Sequence, residues 1–150
     1  MIMPTGSEKL RVCAPEAKLS SHVEKLDALV DRVIVLSHVG HEEERALAAA
    51  VDNIDIIVGG HSHTRVDPPV RINNTYVVQA NHYGADVGYL NIEVDTTTHS
   101  MSQFSGKLIR SNDLPAPDPS VAALVNHWEQ KVAKVVDHPI ATAARDYTKE

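Results

Sequence analysis

The chain has 150 residues, of which 43% are hydrophobic and 23% charged, and its formal net charge is −6. This composition indicates a folded globular chain and excludes general disorder, because Val, Ile, Leu and Ala are plentiful. A membrane span within this sequence is excluded, since no apolar run approaches the roughly 20 residues that crossing a bilayer needs. The 20 acidic residues outnumber the 14 basic ones, which form no cluster, so the sequence also predicts no nucleic-acid partner.

The first half of the sequence alternates between helix and strand patterns. Apolar residues at helical spacing predict a helix over 15–30, and a β-branched run predicts a buried strand over 32–37. Residues 42–51 predict a second helix, and we expect its acidic first turn, Glu42 to Glu44, to be solvated. Another buried strand is predicted over 54–58. Strand, helix and strand in such close succession predict a βαβ unit with parallel strands.

Short alternating segments follow, and they predict further strands of a mixed sheet in an α/β fold. Asn73 and Asn74 are turn formers and predict a hairpin between the first two segments. We expect these strands to continue the sheet in antiparallel fashion, with helices on one face. The other face should then expose Val, Ile and Leu, which favours self-association through it. The predicted strands are 70–72, 75–80, 87–94 and 102–109.

A Pro-rich loop divides the chain into two parts. Its residues, 114–120, precede a helical pattern over 121–136 in which apolar residues share one face and Ser120 is the expected N-cap. The sequence therefore predicts one domain over residues 1–113, followed by a loop and linker helix over residues 114–150.

Three histidines lie directly after the two predicted parallel strands. His38 follows the first strand, and His61 and His63 follow the second. The carboxyl ends of parallel strands meet at one edge of an open sheet, where α/β proteins bind ligands. Gly59 and Gly60 allow the backbone to turn sharply there and to approach a ligand closely. Histidine is the commonest metal ligand, so this edge is a candidate metal site.

The alternative for each histidine is an ordinary hydrogen-bonded loop residue. That alternative is the weaker one for three histidines at two neighbouring strand ends. It is equally good for His82, which follows Asn81 in a later loop. We therefore treat Asn81 and His82 as candidates for the edge of the site, together with Gly59 and Gly60.

Four stretches of the sequence resemble one protein family in their order and spacing. They are Val-Ile-Val-Leu-Ser-His-Val-Gly (33–40), Ile-Asp-Ile-Ile-Val-Gly-Gly-His-Ser-His-Thr (54–64), Val-Val-Gln-Ala-Asn-His-Tyr-Gly (77–84) and Gly-Tyr-Leu-Asn-Ile-Glu-Val (88–94). With the acidic helix between the first two, they are similar to the calcineurin-like metallophosphoesterases. The resemblance is to the 5′-nucleotidase branch, which includes periplasmic UDP-sugar hydrolases, 2′,3′-cyclic-nucleotide phosphodiesterases and apyrases.

The resemblance implies a fold and a chemistry. The family has a four-layer α/β/β/α domain with two divalent metal ions, about 3.5–4 Å apart, that clamp the phosphoryl group of the substrate. The chain resembles the second half of that domain. The resemblance implies that His38 and His61 bind one ion and His63 the other, and imidazole suits Zn, Mn, Fe and Co alike. The implied substrate is a nucleotide or another phosphoester, and the full-length parent is expected to be periplasmic, secreted or at the cell surface.

The sequence also departs from the family pattern. It has no Asp-x-His motif, no Gly-Asp with the metal-bridging carboxylate, and no Asn-His-Glu/Asp motif with the catalytic histidine. We also expect the family's nucleoside-binding C-terminal domain to be missing from these 150 residues. We therefore expect a partial catalytic domain with no catalytic residue of its own, at most one strong metal site, and no activity in isolation. Two alternatives stay open: an inactive metal-binding remnant or interaction module, and a thiosulfohydrolase-like member of the same fold.

Overall fold

The computed structural model describes residues 13–142, which divide into a unit up to Leu114 and a second unit from Pro115. Residues 1–12 and 143–150, which the two predicted domains include, lie outside the described range. The helices are α1 (Pro15–Asp27), α2 (His41–Ala50) and α3 (Pro119–Val136), with a short 3-10 helix at Ser111–Asp113. The strands are β1 (Ile34–Leu36), β2 (Ile56–Val58), β3 (Val70–Ile72), β4 (Thr75–Val78), β5 (Asp86–Asp95) and β6 (Ser100–Arg110).

Four of the strands form one mixed sheet in the order β1-β2-β4-β3. The predicted βαβ unit is confirmed, because β1 and β2 pair in parallel with Ile34 opposite Ile56. The predicted hairpin is confirmed too, since β3 and β4 are antiparallel and Asn73 takes a left-handed φ of 51° at their turn. The expectation that residues 75–80 lie antiparallel to the sheet is wrong, since β4 pairs in parallel with β2. The hairpin inserts its second strand beside β2, and that strand takes the direction of β2.

The last two strands do not extend this sheet, contrary to the sequence prediction. Among the described strands, β5 and β6 pair with each other and with no other strand, and they form an antiparallel ribbon with Asp86 opposite Arg110 at one end. The ring of Phe104 stacks on that of Tyr76, with 3.6 Å between ring centres. The ribbon has one half-buried face, so it contacts the sheet through that face rather than through backbone pairing at an edge.

The core lies between the sheet and helices α1 and α2. Ile57 and Val77, at the centre of the sheet, are fully buried against residues of both helices. The buried cluster consists of Val23, Val33, Leu47, Ala48, Val51, Ile54, Ile57 and Val77. Burial of such side chains contributes about 1.5–3 kcal/mol each, which fixes the strand ends that carry the histidines.

The sheet face opposite helices α1 and α2 is exposed to solvent only in part. Val58 and Val78 line a cavity of about 360 Å³ together with Leu90 of the ribbon, so the ribbon covers that part of the face. On β1, in contrast, Ile34 is 53% exposed and Leu36 82% exposed. The prediction of an exposed apolar face therefore holds at β1, and self-association through it stays a prediction.

The second unit contains helix α3. Its N-cap is Asp118, whose side chain accepts hydrogen bonds from the backbone N–H groups of Ser120 and Val121. The prediction of Ser120 as the cap is wrong, because Pro119 starts the helix one residue earlier and Asp118 has the stronger acceptor. Its apolar side chains, Trp128 among them, are exposed. Within residues 13–142, no helix combines the length and apolarity that a membrane crossing requires.

Candidate metal centre

Four exposed histidines lie at the carboxyl edge of the sheet. His38 follows β1, His61 and His63 follow β2, and His82 follows β4. These three strands are parallel neighbours, so their carboxyl ends reach the same edge. The sequence predicted this position for the first three histidines and left it open for His82, which the central location of β4 brings to the same edge.

The histidine rings are arranged in two pairs. The ring centres of His38 and His61 are 5.3 Å apart, with the planes inclined at 69°. Those of His63 and His82 are 5.1 Å apart, with the planes inclined at 23°. Among residues 13–142, no three His, Cys, Asp or Glu side chains are grouped to hold a metal ion by themselves. The structure thus brings His38 to His61, and His63 to His82, and does not gather His38, His61 and His63 at one point.

The loop after β2 turns tightly to present its histidines. His61 and His63 both take left-handed backbone conformations, with φ of 69° and 56°. Such angles are uncommon for residues other than glycine, although histidine tolerates them better than most. At Gly60 a Cβ atom would lie 2.7 Å from Nδ1 of His38, so only glycine leaves the His38 ring its present place. The loop is therefore shaped around the rings that it presents.

A buried pair, Glu44 and Gln79, holds this loop from below. The backbone N–H of Gly60 donates to Oε1 of Glu44 at 3.0 Å, and Nε2 of Gln79 donates to Oε2 of Glu44 at 3.3 Å. Nε2 of Gln79 also donates to the carbonyl oxygen of Gly60 at 2.7 Å. On its other side, Oε1 of Gln79 accepts from the Ser62 hydroxyl at 3.0 Å and from the backbone N–H of Thr64. One amide group therefore fixes the loop on both sides of the histidines.

The sequence prediction for Glu44 is wrong, and Gln79 entered the sequence analysis only as part of the stretch 77–84 that carries the family resemblance. Glu44 is completely buried, whereas the acidic first turn of α2 was expected to be solvated. The missed signal is helical phase, because Glu44 lies three and four residues before Leu47 and Ala48, which face the core. For Gln79, the signal is a polar residue that directly follows the apolar run of a central strand.

The loop after β4 is held by a second buried carboxylate, that of Asp86. Nδ2 of Asn81 donates to Oδ2 of Asp86 at 2.9 Å, and Nε of Arg65 donates to Oδ1 at 3.4 Å. The hydrogen bond from Asn81 lowers the pKa of the Asp86 carboxyl, burial opposes that shift, and Arg65 adds to it. Asp86 therefore stays ionised at neutral pH and keeps its two donors in place.

The imidazole nitrogens at this edge are of a chemical type that binds divalent metal ions. The rings of His38, His61 and His63 make no hydrogen bond within residues 13–142, so their nitrogens are available. Two imidazoles on one tetrahedral ion have ring centres about 5 Å apart, given a metal–nitrogen distance of about 2.0–2.1 Å, and both pairs match this spacing. A tetrahedral site takes four ligands. Each pair therefore offers two imidazoles, half the number of ligands that such a site needs.

Comparison with known proteins finds 5′-nucleotidases and other phosphoesterases among the relatives of the chain. Human 5′-nucleotidase is 32% identical to the chain over 133 residues, a match that covers 76% of the chain and 23% of the human protein. The solved 5′-nucleotidase precursor from Thermus thermophilus matches 86% of the chain with a TM-score of 0.71 and 27% identity, over 29% of its own length. The calcineurin-like phosphoesterase YfkN from Bacillus subtilis matches 85% of the chain, over 46% of its own length, with a TM-score of 0.71. At 18% identity, the last match shows the fold alone.

The matches to longer proteins are partial. The chain spans about a quarter of the length of the curated 5′-nucleotidases that it matches, 23% for the human and bovine proteins. No protein-family model matches the chain.

Proposed function

The chain belongs to the calcineurin-like metallophosphoesterases, in the branch of the 5′-nucleotidases, and from this premise we propose that it forms part of the metal centre of a nucleotide phosphoester hydrolase. The proposal rests on one observation: four imidazole rings lie at the carboxyl edge of the sheet, arranged as two pairs. In this proposal His38 and His61 bind one divalent ion and His63 the other. Zn, Mn, Co and Fe all suit these ligands.

The residues of this chain bind and orient rather than transfer protons. Glu44 and Gln79 fix the backbone of the loop that carries His61 and His63, so this loop is ordered before any ligand binds. Preorganised donors of this kind avoid the free-energy cost of ordering a loop on binding. The ions, when bound, supply positive charge for the phosphoryl oxygens and lower the pKa of bound water. In the same proposal the whole protein acts in the periplasm, outside the cell or at its surface.

The first test is metal binding. We expect calorimetric titration of the 150-residue chain with Zn²⁺ or Mn²⁺ to give at most one strong equivalent, because the proposed set gives two imidazoles to one ion and one to the other, and water must supply the remaining ligands. His61→Ala should abolish the strong site, since it removes one of the two imidazoles, His38 and His61, that bind this ion. His127→Ala in α3, which removes a histidine of the second unit, is the control and should bind as the unchanged chain does. Two equivalents bound with nanomolar affinity would contradict the proposed ligand set.

The second test is activity on AMP and bis-p-nitrophenyl phosphate with added Mn²⁺ or Co²⁺. We expect the chain alone to be near background, because it lacks the bridging carboxylate and the catalytic histidine of the family. Removing one electrostatic stabiliser costs about 10²–10³ in rate, and removing a general acid about 10²–10⁴. Mixing with the N-terminal half of a family catalytic domain should restore turnover. Enzymatic turnover by the chain alone, abolished by His61→Ala, would overturn the assignment of no catalytic residue to this chain.

A further inference from the structure

The loop after β4 places a fourth imidazole, that of His82, beside His63. The family resemblance gives His82 no role as a ligand. Its ring centre nevertheless lies 5.1 Å from that of His63, and the two planes are inclined at only 23°. The spacing of this pair therefore matches that of His38 and His61, which is 5.3 Å. Both His82 and His63 are exposed at the carboxyl edge of the sheet.

A chain of hydrogen bonds determines which nitrogen of His82 carries its proton. The ionised Asp86 carboxylate only accepts hydrogen bonds, so the group of Asn81 that faces it must be the NH₂ group. The carbonyl oxygen of Asn81 then faces His82, at 2.6 Å from Nδ1. Because that oxygen only accepts, Nδ1 of His82 must be the donor. In the neutral ring, Nε2 of His82 is then the nitrogen with a free lone pair.

Metal-binding histidines commonly have this arrangement. A ligating histidine usually donates its other ring N–H to a carboxylate, a carbonyl or water, which fixes the tautomer and makes the ligating nitrogen more basic. In this chain, Asn81 relays the negative charge of Asp86 to the His82 ring. Asn81 also takes a left-handed φ of 61°, a conformation that a buried, hydrogen-bonded partner helps to maintain.

We infer that Nε2 of His82 is a metal ligand on the same ion as His63, with Asn81 and Asp86 as its positioning residues. The inference rests on the proposed metal centre and adds to it a ligand that the family pattern does not assign. It assigns one ion to each of the two ring pairs at this edge, whose ring centres are similarly spaced. The competing interpretation is that His82 only packs against His63 and Tyr83, whose rings it contacts.

The test compares zinc binding and ring-nitrogen NMR spectra of the full chain and its variants. In the metal-free chain, we expect His82 to be the Nδ1–H tautomer, and Zn²⁺ should shift its Nε2 signal together with that of His63. His82→Ala and His82→Phe should each lower zinc affinity at the His63 ion by about tenfold or more. The phenyl ring retains the packing and removes the nitrogen, so the two variants separate ligation from packing. Tyr83→Ala is the control and should change this affinity by less than about threefold.

The outcomes separate this inference from the proposed function. If His61→Ala removes zinc from the His38 ion, His63→Ala removes it from the other ion, and both His82 variants leave binding at that other ion unchanged, His82 is not a ligand and the proposed function stands. An affinity retained in His82→Phe but lost in His82→Ala would also overturn ligation by His82, in favour of packing. If none of the histidine variants alters zinc binding, the proposed function itself fails.

Discussion

Gly59→Ala is expected to destabilise the first unit by about 3 kcal/mol, because the added methyl group has no space. A Cβ atom at this position would lie 1.9 Å from Oε2 and 2.5 Å from Cδ of Glu44. Glu44 is completely buried and cannot turn into solvent without breaking its bonds to Gly60 and Gln79. Overpacking costs about 1–3 kcal/mol, and a lost hydrogen bond to a charged group about 1.5–3 kcal/mol. Urea denaturation of the chain measures the change in the free energy of unfolding.

Gly88→Ala is the matched control for this substitution. Its Cβ would meet only Leu108 and Ala80, at 3.8 and 3.9 Å, which are ordinary van der Waals contacts. We expect a change of less than about 0.5 kcal/mol. Shortening the buried acid in the double variant Gly59→Ala, Glu44→Asp should recover part of the loss. Equal destabilisation by the two alanine substitutions would show that Glu44 does not limit the space at Gly59.

The parts of the fold that the sequence predicted are those encoded by local patterns. The buried runs that became β1 and β2, with a helix between them, define a βαβ unit whose direction follows from a general rule. The same rule places His38, His61 and His63 at one edge of the sheet. The relatives support the family resemblance of the chain, whereas the role of these three histidines as metal ligands stays a proposal.

The parts that the sequence did not predict depend on partners far along the chain. The alternation in β5 and β6 indicates that one face of each strand is buried. It does not indicate whether the strands pair with the edge of the sheet or pack against its face. The position of β4 next to β2 depends on which strand of the hairpin is inserted, and the hairpin pattern is the same in both cases. Glu44 and Gln79 are 35 residues apart and become partners only through this strand order.

Gln79→Met is expected to lower the free energy of unfolding by about 2–4 kcal/mol and to weaken metal binding at the histidine loop. Methionine has a similar volume but neither donates nor accepts as an amide does. Four groups therefore lose their Gln79 partner: Oε2 of Glu44, the carbonyl of Gly60, the Ser62 hydroxyl and the N–H of Thr64. A buried polar group without a partner costs about 1–3 kcal/mol. Water can replace the amide at two of the four, since Ser62 is exposed and Thr64 is half-buried. Urea denaturation and hydrogen exchange at the Gly60 and Thr64 amides report the two effects separately.

Gln103→Met is the control for Gln79→Met, because Gln103 is exposed on β6 and its side chain makes no hydrogen bond within residues 13–142. We expect it to change the free energy of unfolding by less than about 0.5 kcal/mol and to leave zinc affinity unaltered. In Gln79→Met, faster exchange at Thr64 together with weaker zinc binding would mean that the amide holds the histidine loop in its binding conformation. Loss of stability with unchanged zinc affinity would instead limit Gln79 to a structural role, since the loop would then reach the ion without it.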